Sequence, residues 1–294
     1  MRIKSKQGVK LAKQSIEQRI KAIEEAREKN PELEKILEFY KAILLAQREI
    51  DIQLGKGTKM DFGDRKKIQE LQSKATQSRK PIINFLESEI FREDALLSSF
   101  LQILDKLPAI ARDEMKDFIE ALKTKKVSVL EIAAAVIKEE PGFFEKLRQQ
   151  YKVNPKTLLF IASSIVQPFL EEIARQVDQA FLELWWEAHC PICGKKPVVA
   201  RIKNRKRYLI CSLCGAEYLA DLFLCVHCNN LDPNTLGFLA IENEPWFRID
   251  YCEKCKHYLK VINDDKLKFS IPNGLEDLLT LSLDQIAKDA GLLS

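Results

Sequence analysis

The chain has 294 residues, 46% hydrophobic and 31% charged, which is the composition of a soluble globular protein of roughly one to three domains and excludes disorder and collagen-like repetition. Lys and Arg total 47 against 43 Asp and Glu, and a formal charge of +4 is too small an excess to argue for nucleic acid by itself. The longest apolar run, 158–166, contains Ser163 and Ser164 and falls short of the ~18 residues that span a bilayer, and the basic N-terminal stretch has no apolar h-region, so a cytoplasmic protein without a membrane span is expected.

Up to residue 187 there is no Cys, no His and only five Gly, and apolar residues recur at intervals of three and four, the pattern of a helical domain over 1–187. Ile16, Ile20 and Ile23 form a first stripe. Leu33, Ile36, Leu37, Tyr40 and Leu44 form a second, entered through Asn30-Pro31, a cap residue followed by proline at the first helical position. The two helices are expected to pack as a hairpin. Residues 55–66 hold three glycines and several lysines and read as a loop, whose GKGTK lacks the GxxxxGK[ST] spacing of a phosphate-binding loop. Helices are predicted over 94–106, 109–123, 129–139 and 142–151, punctuated by Pro108 and Pro141. Asn154-Pro155 repeats the capping signature and opens the longest pattern, which runs to about Ala188, with a kink or break expected near Gln167 because Pro168 lies inside it. Trp185 and Trp186 end this pattern and are expected to pack it against the region that follows.

From Cys190 onward the texture is short β-rich runs at 198–202, 207–211, 237–242, 246–252 and 258–262, each bordering a cysteine pair. After Asp264 and Asp265 an amphipathic helix is predicted from Leu275 to about Ala290, closed by Gly291 and packed back on the body. The expected fold class is multidomain α+β: a helical domain at 1–187, a first metal module at 188–222, a second at 223–264 and a C-terminal helix within 265–294.

All eight cysteines fall in four CxxC pairs, which in a reducing cytosol favours metal over structural disulfides. A spacing of two lets one tight turn aim both sulfurs at one ion, and two such knuckles make a tetrahedral site. The first two pairs read C-x2-C-x17-C-x2-C and the last two C-x2-C-x23-C-x2-C, against about 15 to 20 intervening residues in zinc sites of this kind. The candidate metal ligands are therefore Cys190, Cys193, Cys211, Cys214, Cys225, Cys228, Cys252 and Cys255, holding two ions of Zn or Fe. Sequential pairing puts a hairpin between the knuckles of each site, whereas interleaved pairing makes a cross-brace; the ten-residue link from Cys214 to Cys225 permits either, and the position of the strands favours the sequential scheme. Gly194 and Gly215 directly follow their pairs, where a left-handed residue closes the turn, Asn229 substitutes in the third knuckle, and Lys256 makes the fourth the least conventional.

Four thiolates around a divalent ion carry a formal charge of −2, so two filled sites bring the total of +4 to about zero. Lys195, Lys196, Arg201, Lys203, Arg205, Lys206 and Arg207 then offset thiolate charge. The run RIKNRKR at 201–207 is also the one local support for an alternative reading, a zinc-ribbon protein that binds nucleic acid. His189, His227 and His257 lie among the cysteines, but four sulfurs already close each site, so all three are read as hydrogen-bonding or exposed side chains. A full sulfur shell has no open position for substrate, so no catalytic residue is assigned and no enzyme is expected. A further reading, dithiol redox centres, lacks a thioredoxin-like βαβ context.

CPICG at 190–194, RYLICSLCGAEY at 207–218, CVHC at 225–228 and CEKCKHYLK at 252–260 together resemble the FdhE family, the formate dehydrogenase accessory proteins. The helical first part and LSLDQIAKDAG at 281–291 extend the similarity over most of the chain. The resemblance implies a cytoplasmic accessory or maturation protein with rubredoxin-like modules, required for active formate dehydrogenase, in contact with its catalytic subunit and using iron. It carries over the eight cysteines as ligands, and Tyr258, Leu259 and Lys260 as a motif of unassigned role. Tyr218 stands where a tryptophan is common, and Asn229 where glycine often follows the third knuckle.

Overall fold

The structure, a computed structural model, describes residues 16–29, 31–55, 65–86, 91, 93–107 and 109–293. Asn30, Pro108 and most of the loop read at 55–66 lie outside the described residues. Helices α1 (Ile16–Lys29) and α2 (Glu34–Gly55) form the expected hairpin. Its antiparallel sense shows in Arg27 reaching Glu34 at 3.1 Å near the turn and Lys41 reaching Glu24 at 2.6 Å farther along. Ile23 and Leu37 are fully buried between them.

Helix α3 (Arg65–Ser78) has no counterpart among the predicted elements, because its sequence is mostly polar; Ile68, Leu71 and Ala75, at helical spacing, are the apolar residues it buries. Helix α4 (Glu93–Lys106) matches its prediction. The helix expected over 109–123 is two, α5 (Ala109–Glu114) and α6 (Lys116–Lys123), broken at the buried Met115. Helix α7 (Val129–Ile137) starts on Ser128, whose hydroxyl accepts from the Glu131 N–H, and α8 (Pro141–Tyr151) begins with proline as expected.

Helix α9 (Pro155–Gln176) is capped by the Asn154 side chain, which accepts from the N–H groups of Lys156 and Thr157. It continues as one helix through Pro168. A proline cannot donate to the carbonyl four residues earlier, that of Ser164, and the structure supplies a substitute: Gln47 Nε2 of α2 donates to that oxygen at 2.7 Å. The helix ends at Gln176 rather than near Ala188, since Val177 and Asp178 are extended before the short α10 (Gln179–Glu183). By length and composition α9 is apolar enough to cross a membrane. Its Leu158, Ile161, Ile165, Phe169 and Ile173 are nevertheless buried in the main core, and α2, α4, α7 and α8 pack around it.

The C-terminal part is built on one six-stranded sheet in the order β3-β2-β1-β6-β5-β4. The strands are β1 (Val199–Lys203), β2 (Lys206–Ile210), β3 (Glu217–Ala220), β4 (Leu236–Ala240), β5 (Phe247–Cys252) and β6 (Tyr258–Asn263). The four-residue β3 has no counterpart among the predicted runs. Two antiparallel three-stranded meanders therefore follow one another, each with the plan knuckle, strand, strand, knuckle, strand, and parallel pairing of β1 with β6 joins them. Alternation along the strands covers both faces: Ala200 and Val261 enter the main core with the helical domain, while Val199 and Ile262 enter a second core. That second core is closed by Leu283 and Ala287 of α11 (Leu281–Asp289), which follows a 3-10 helix at Leu278–Thr280 and ends before Gly291 at φ +75°.

Candidate metal centres

Four copies of one backbone motif present the eight sulfurs. In each knuckle the residue after the second cysteine lies in the left-handed region: Gly194 at φ +81°, Gly215 at +67°, Asn229 at +57° and Lys256 at +62°. Its N–H donates to the carbonyl of the first cysteine, over 2.8–3.0 Å in all four, and the N–H of each first cysteine donates to the carbonyl five residues on. Lys256 thus adopts the shared turn despite its Cβ, a conformation that costs an L-residue about 1–2 kcal/mol.

The sheet brings the first knuckle to the second and the third to the fourth, which is sequential pairing. Cys190, Cys193, Cys211 and Cys214 form one group and Cys225, Cys228, Cys252 and Cys255 another, and in each all four sulfurs lie within 4.8 Å of one another, able to hold a metal ion. The closest Sγ–Sγ distances are 3.4 Å (Cys190–Cys214 and Cys193–Cys211) in the first, and 3.6 Å (Cys225–Cys255) and 3.7 Å (Cys228–Cys252) in the second. A tetrahedron with metal–sulfur bonds of about 2.3 Å has edges of about 3.8 Å, whereas a disulfide requires about 2.05 Å. All eight cysteines are free, and the donor set fits a thiophilic divalent ion.

The first quartet is buried throughout. Hydrogen bonds with Cys190 and Cys193 hold Cys211 well below the usual thiol range, while hydrogen bonds to Cys190 and Cys211 push Cys193 up and burial pushes Cys214 up. A cation entering the quartet would displace protons shared in this way, which would make its binding pH-dependent. The quartet sits at the seam with the helical domain. Ile82 and Ile83, in the 3-10 helix after α3, donate N–H bonds to the carbonyls of Pro191 and Ile192 at 2.8 and 2.9 Å, and Pro81 packs where a Cβ on Gly194 would stand. Tyr218 is fully buried beside the quartet, and its hydroxyl donates to the Ala188 carbonyl at 3.1 Å. Trp185 behaves as expected of a packing residue: it is buried and donates through Nε1 to the His189 carbonyl at 2.7 Å. Trp186 does not; it is 59% exposed.

The three histidines lie outside both sulfur groups, in agreement with their reading. His189 meets Trp185 edge-on, and His227 stacks on His257 at 4.4 Å between ring centroids, with His257 Nδ1 2.9 Å from the Cys255 carbonyl.

The basic run at 201–207 is largely engaged inside the protein. Arg201 is buried and donates to Asp264 at 3.0 Å, Glu276 at 3.1 Å and the Ile271 carbonyl at 2.5 Å. Lys203 pairs with Glu217 at 2.7 Å, and the buried Arg207 donates to the Leu224 carbonyl at 2.7 Å. The hydrogen-bond partners of these three cations are carboxylates and carbonyls, Arg207 also feels the charge of Cys225, and Arg205 and Lys206 are the cations of this run that remain exposed.

The motif of unassigned role acts as a clasp. Lys260 is 1% exposed, an unusual state for lysine, and its Nζ donates to Asp277 Oδ1 at 2.5 Å and Asp284 Oδ2 at 2.8 Å. Tyr258 donates to the other Asp284 oxygen at 2.6 Å. Two distant segments that carry the resemblance, the YLK of β6 and the LSLDQIAKDAG of α11, thus hold each other.

Known proteins agree with this architecture. The family profile described as "FdhE, central domain" matches residues 189–220, the span of the first quartet. A "Protein FdhE homolog" of Aquifex aeolicus is 27% identical over 273 residues, covering 91% of this chain and 88% of its own. Another from Haemophilus influenzae is 24% identical over 212 residues, or 70% of this chain and 67% of that protein. The crystal structure of the FdhE protein from Pseudomonas aeruginosa matches with a TM-score of 0.65 at 19% identity, over 97% of this chain and 94% of that one, so the two share a fold.

Proposed function

We propose that this chain, which belongs to the FdhE family, is a cytoplasmic accessory protein that formate dehydrogenase requires to become active, that it binds the catalytic subunit of that enzyme, and that it catalyses no reaction of its own. The observation that carries the reading is the commitment of all eight cysteines to two groups made of four sulfurs each. Cys190, Cys193, Cys211 and Cys214 would hold one ion and Cys225, Cys228, Cys252 and Cys255 the other, with iron favoured by the family. Iron in four thiolates supplies a one-electron couple, and Zn a redox-inert cross-link. The chain orients the sulfurs through the repeated turn and, around the first quartet, excludes water. With four donors from the protein at each ion, no coordination position is left for a substrate, which supports an accessory role. The same reading assigns the helical domain 1–187 and the modules 188–222 and 223–264 to distinct tasks, with 265–294 fastening the second to the body.

The nucleic-acid alternative is weakened, because Arg201, Lys203 and Arg207 engage internal partners and Arg205 and Lys206 are what the run still exposes. The test is genetic and biochemical. Deletion is expected to abolish formate oxidation in cells grown for it, and the tagged chain is expected to co-purify with the dehydrogenase catalytic subunit; intact formate oxidation in the deletion strain, with no second homologue present, would falsify the proposal. Anaerobic purification followed by elemental analysis decides between iron and zinc.

A further inference from the structure

The two quartets share their turns but not their surroundings. In the first, each cysteine is at most 2% exposed, and Ile192, Leu213 and Tyr218 of the main core pack around the group. In the second, Cys225 and Cys252 are buried, but Cys228 is exposed and Cys255 half-buried. The second quartet therefore has one wet edge, and the first has none.

Exchange of an ion held by four thiolates starts when an incoming donor reaches it past a ligand that can leave. A sulfur packed in apolar surroundings neither leaves nor admits that donor, whereas a solvated one does both. We propose that the second centre is the exchangeable one, giving up and accepting its ion across the edge formed by Cys228 and Cys255, while the first keeps its ion as part of the core. In each exchange a bond forms between the ion and the incoming thiolate or chelator nitrogen as the bond to Cys228 Sγ breaks. The freed thiolate takes a proton from water, and no electron is transferred. The inference rests on the two-ion reading above and adds to it a division of labour: one ion for structure and one accessible to a partner.

The test uses the full chain reconstituted with Zn2+. Metal content comes first. Two ions per chain uphold the two-ion reading, whereas no ion, with disulfides in its place, removes both that reading and this one. A single ion supports the inference if it protects the first quartet and overturns it if it protects the second. Competition with a colorimetric zinc chelator is then expected to remove one equivalent in a fast phase and the other about tenfold more slowly or slower still. Brief treatment with iodoacetamide, mapped by mass spectrometry, is expected to label Cys228 and Cys255 before Cys190, Cys193, Cys211 or Cys214. In Cys228→Ser the fast equivalent is missing and the slow one keeps its rate. Release of both ions in a single phase, or labelling that begins in the first quartet, overturns the division of labour and leaves the two-ion reading standing.

Discussion

The two cysteine quartets are built from one repeated plan and embedded in opposite ways. Each comprises two identical turns flanking a pair of strands, yet the first is welded to the helical domain through Ile82, Ile83 and Pro81, whereas the second opens toward solvent at Cys228. A ligand set by itself therefore does not define what a centre is for. Burial decides whether the same four sulfurs serve as a fixed cross-link or as a reactive edge.

The sharpest way to break this comparison is to remove one ligand from each side. Cys211→Ser is expected to lose one ion and to destabilise the whole chain by on the order of 3–5 kcal/mol, because buried groups lose their partner inside the shared core. Far-ultraviolet circular dichroism should show the helical signal melting at lower temperature. Cys228→Ser is expected to lose one ion as well but to leave the helical melt nearly in place; equal shifts from the two variants would erase the contrast.

A smaller effect is expected at the clasp. Lys260→Met keeps the buried stem but removes the donors to Asp277 and Asp284, at a cost of about 2 kcal/mol given that both carboxylates are partly solvated. Urea unfolding with an unchanged slope and a lowered midpoint would confirm it.

The turns provide the smallest and most discriminating pair. At Gly194 an added Cβ would stand 3.0 Å from Pro81 Cγ with φ at +81°, so Gly194→Ala should destabilise by about 1–2 kcal/mol. Lys256→Gly should do the reverse in the fourth turn and raise stability by up to about 1 kcal/mol, since Lys256 already pays the left-handed penalty at φ +62°. Thermal midpoints moving in the same direction for both would show that the turns are not equivalent after all.

Much of this architecture was legible in the residues. The Asn154-Pro155 cap, the spacing of the CxxC pairs and the glycines behind the first two are local signals with direct steric or hydrogen-bonding causes, and the helix starts and turns lie where they point. Some misses were local, as with the polar α3 and the four-residue β3; at three other points a distant partner had intervened. Near Gln167, where the sequence predicts a kink or break, α9 continues through Pro168, and Gln47 satisfies the carbonyl that proline leaves free. The basic run reads in sequence as offsetting thiolate charge, and the carboxylates that partner Arg201, those of Asp264 and Glu276, are not evident there because they lie far along the chain. Lys260 carried a family signature without a role until the fold brought Asp277 and Asp284 to it.

The identity of the donors, their grouping by twos and the helical character of the first part follow from the amino-acid sequence, since each depends on spacings shorter than a turn of helix or a hairpin. Which quartet is sealed and which is open was decided only in three dimensions. Sealing requires apolar surface from elsewhere in the chain: the first quartet lies against the helical domain and is covered by the main core, whereas the second, carried onward along the sheet by the parallel pairing of β1 with β6, is left with an edge in water.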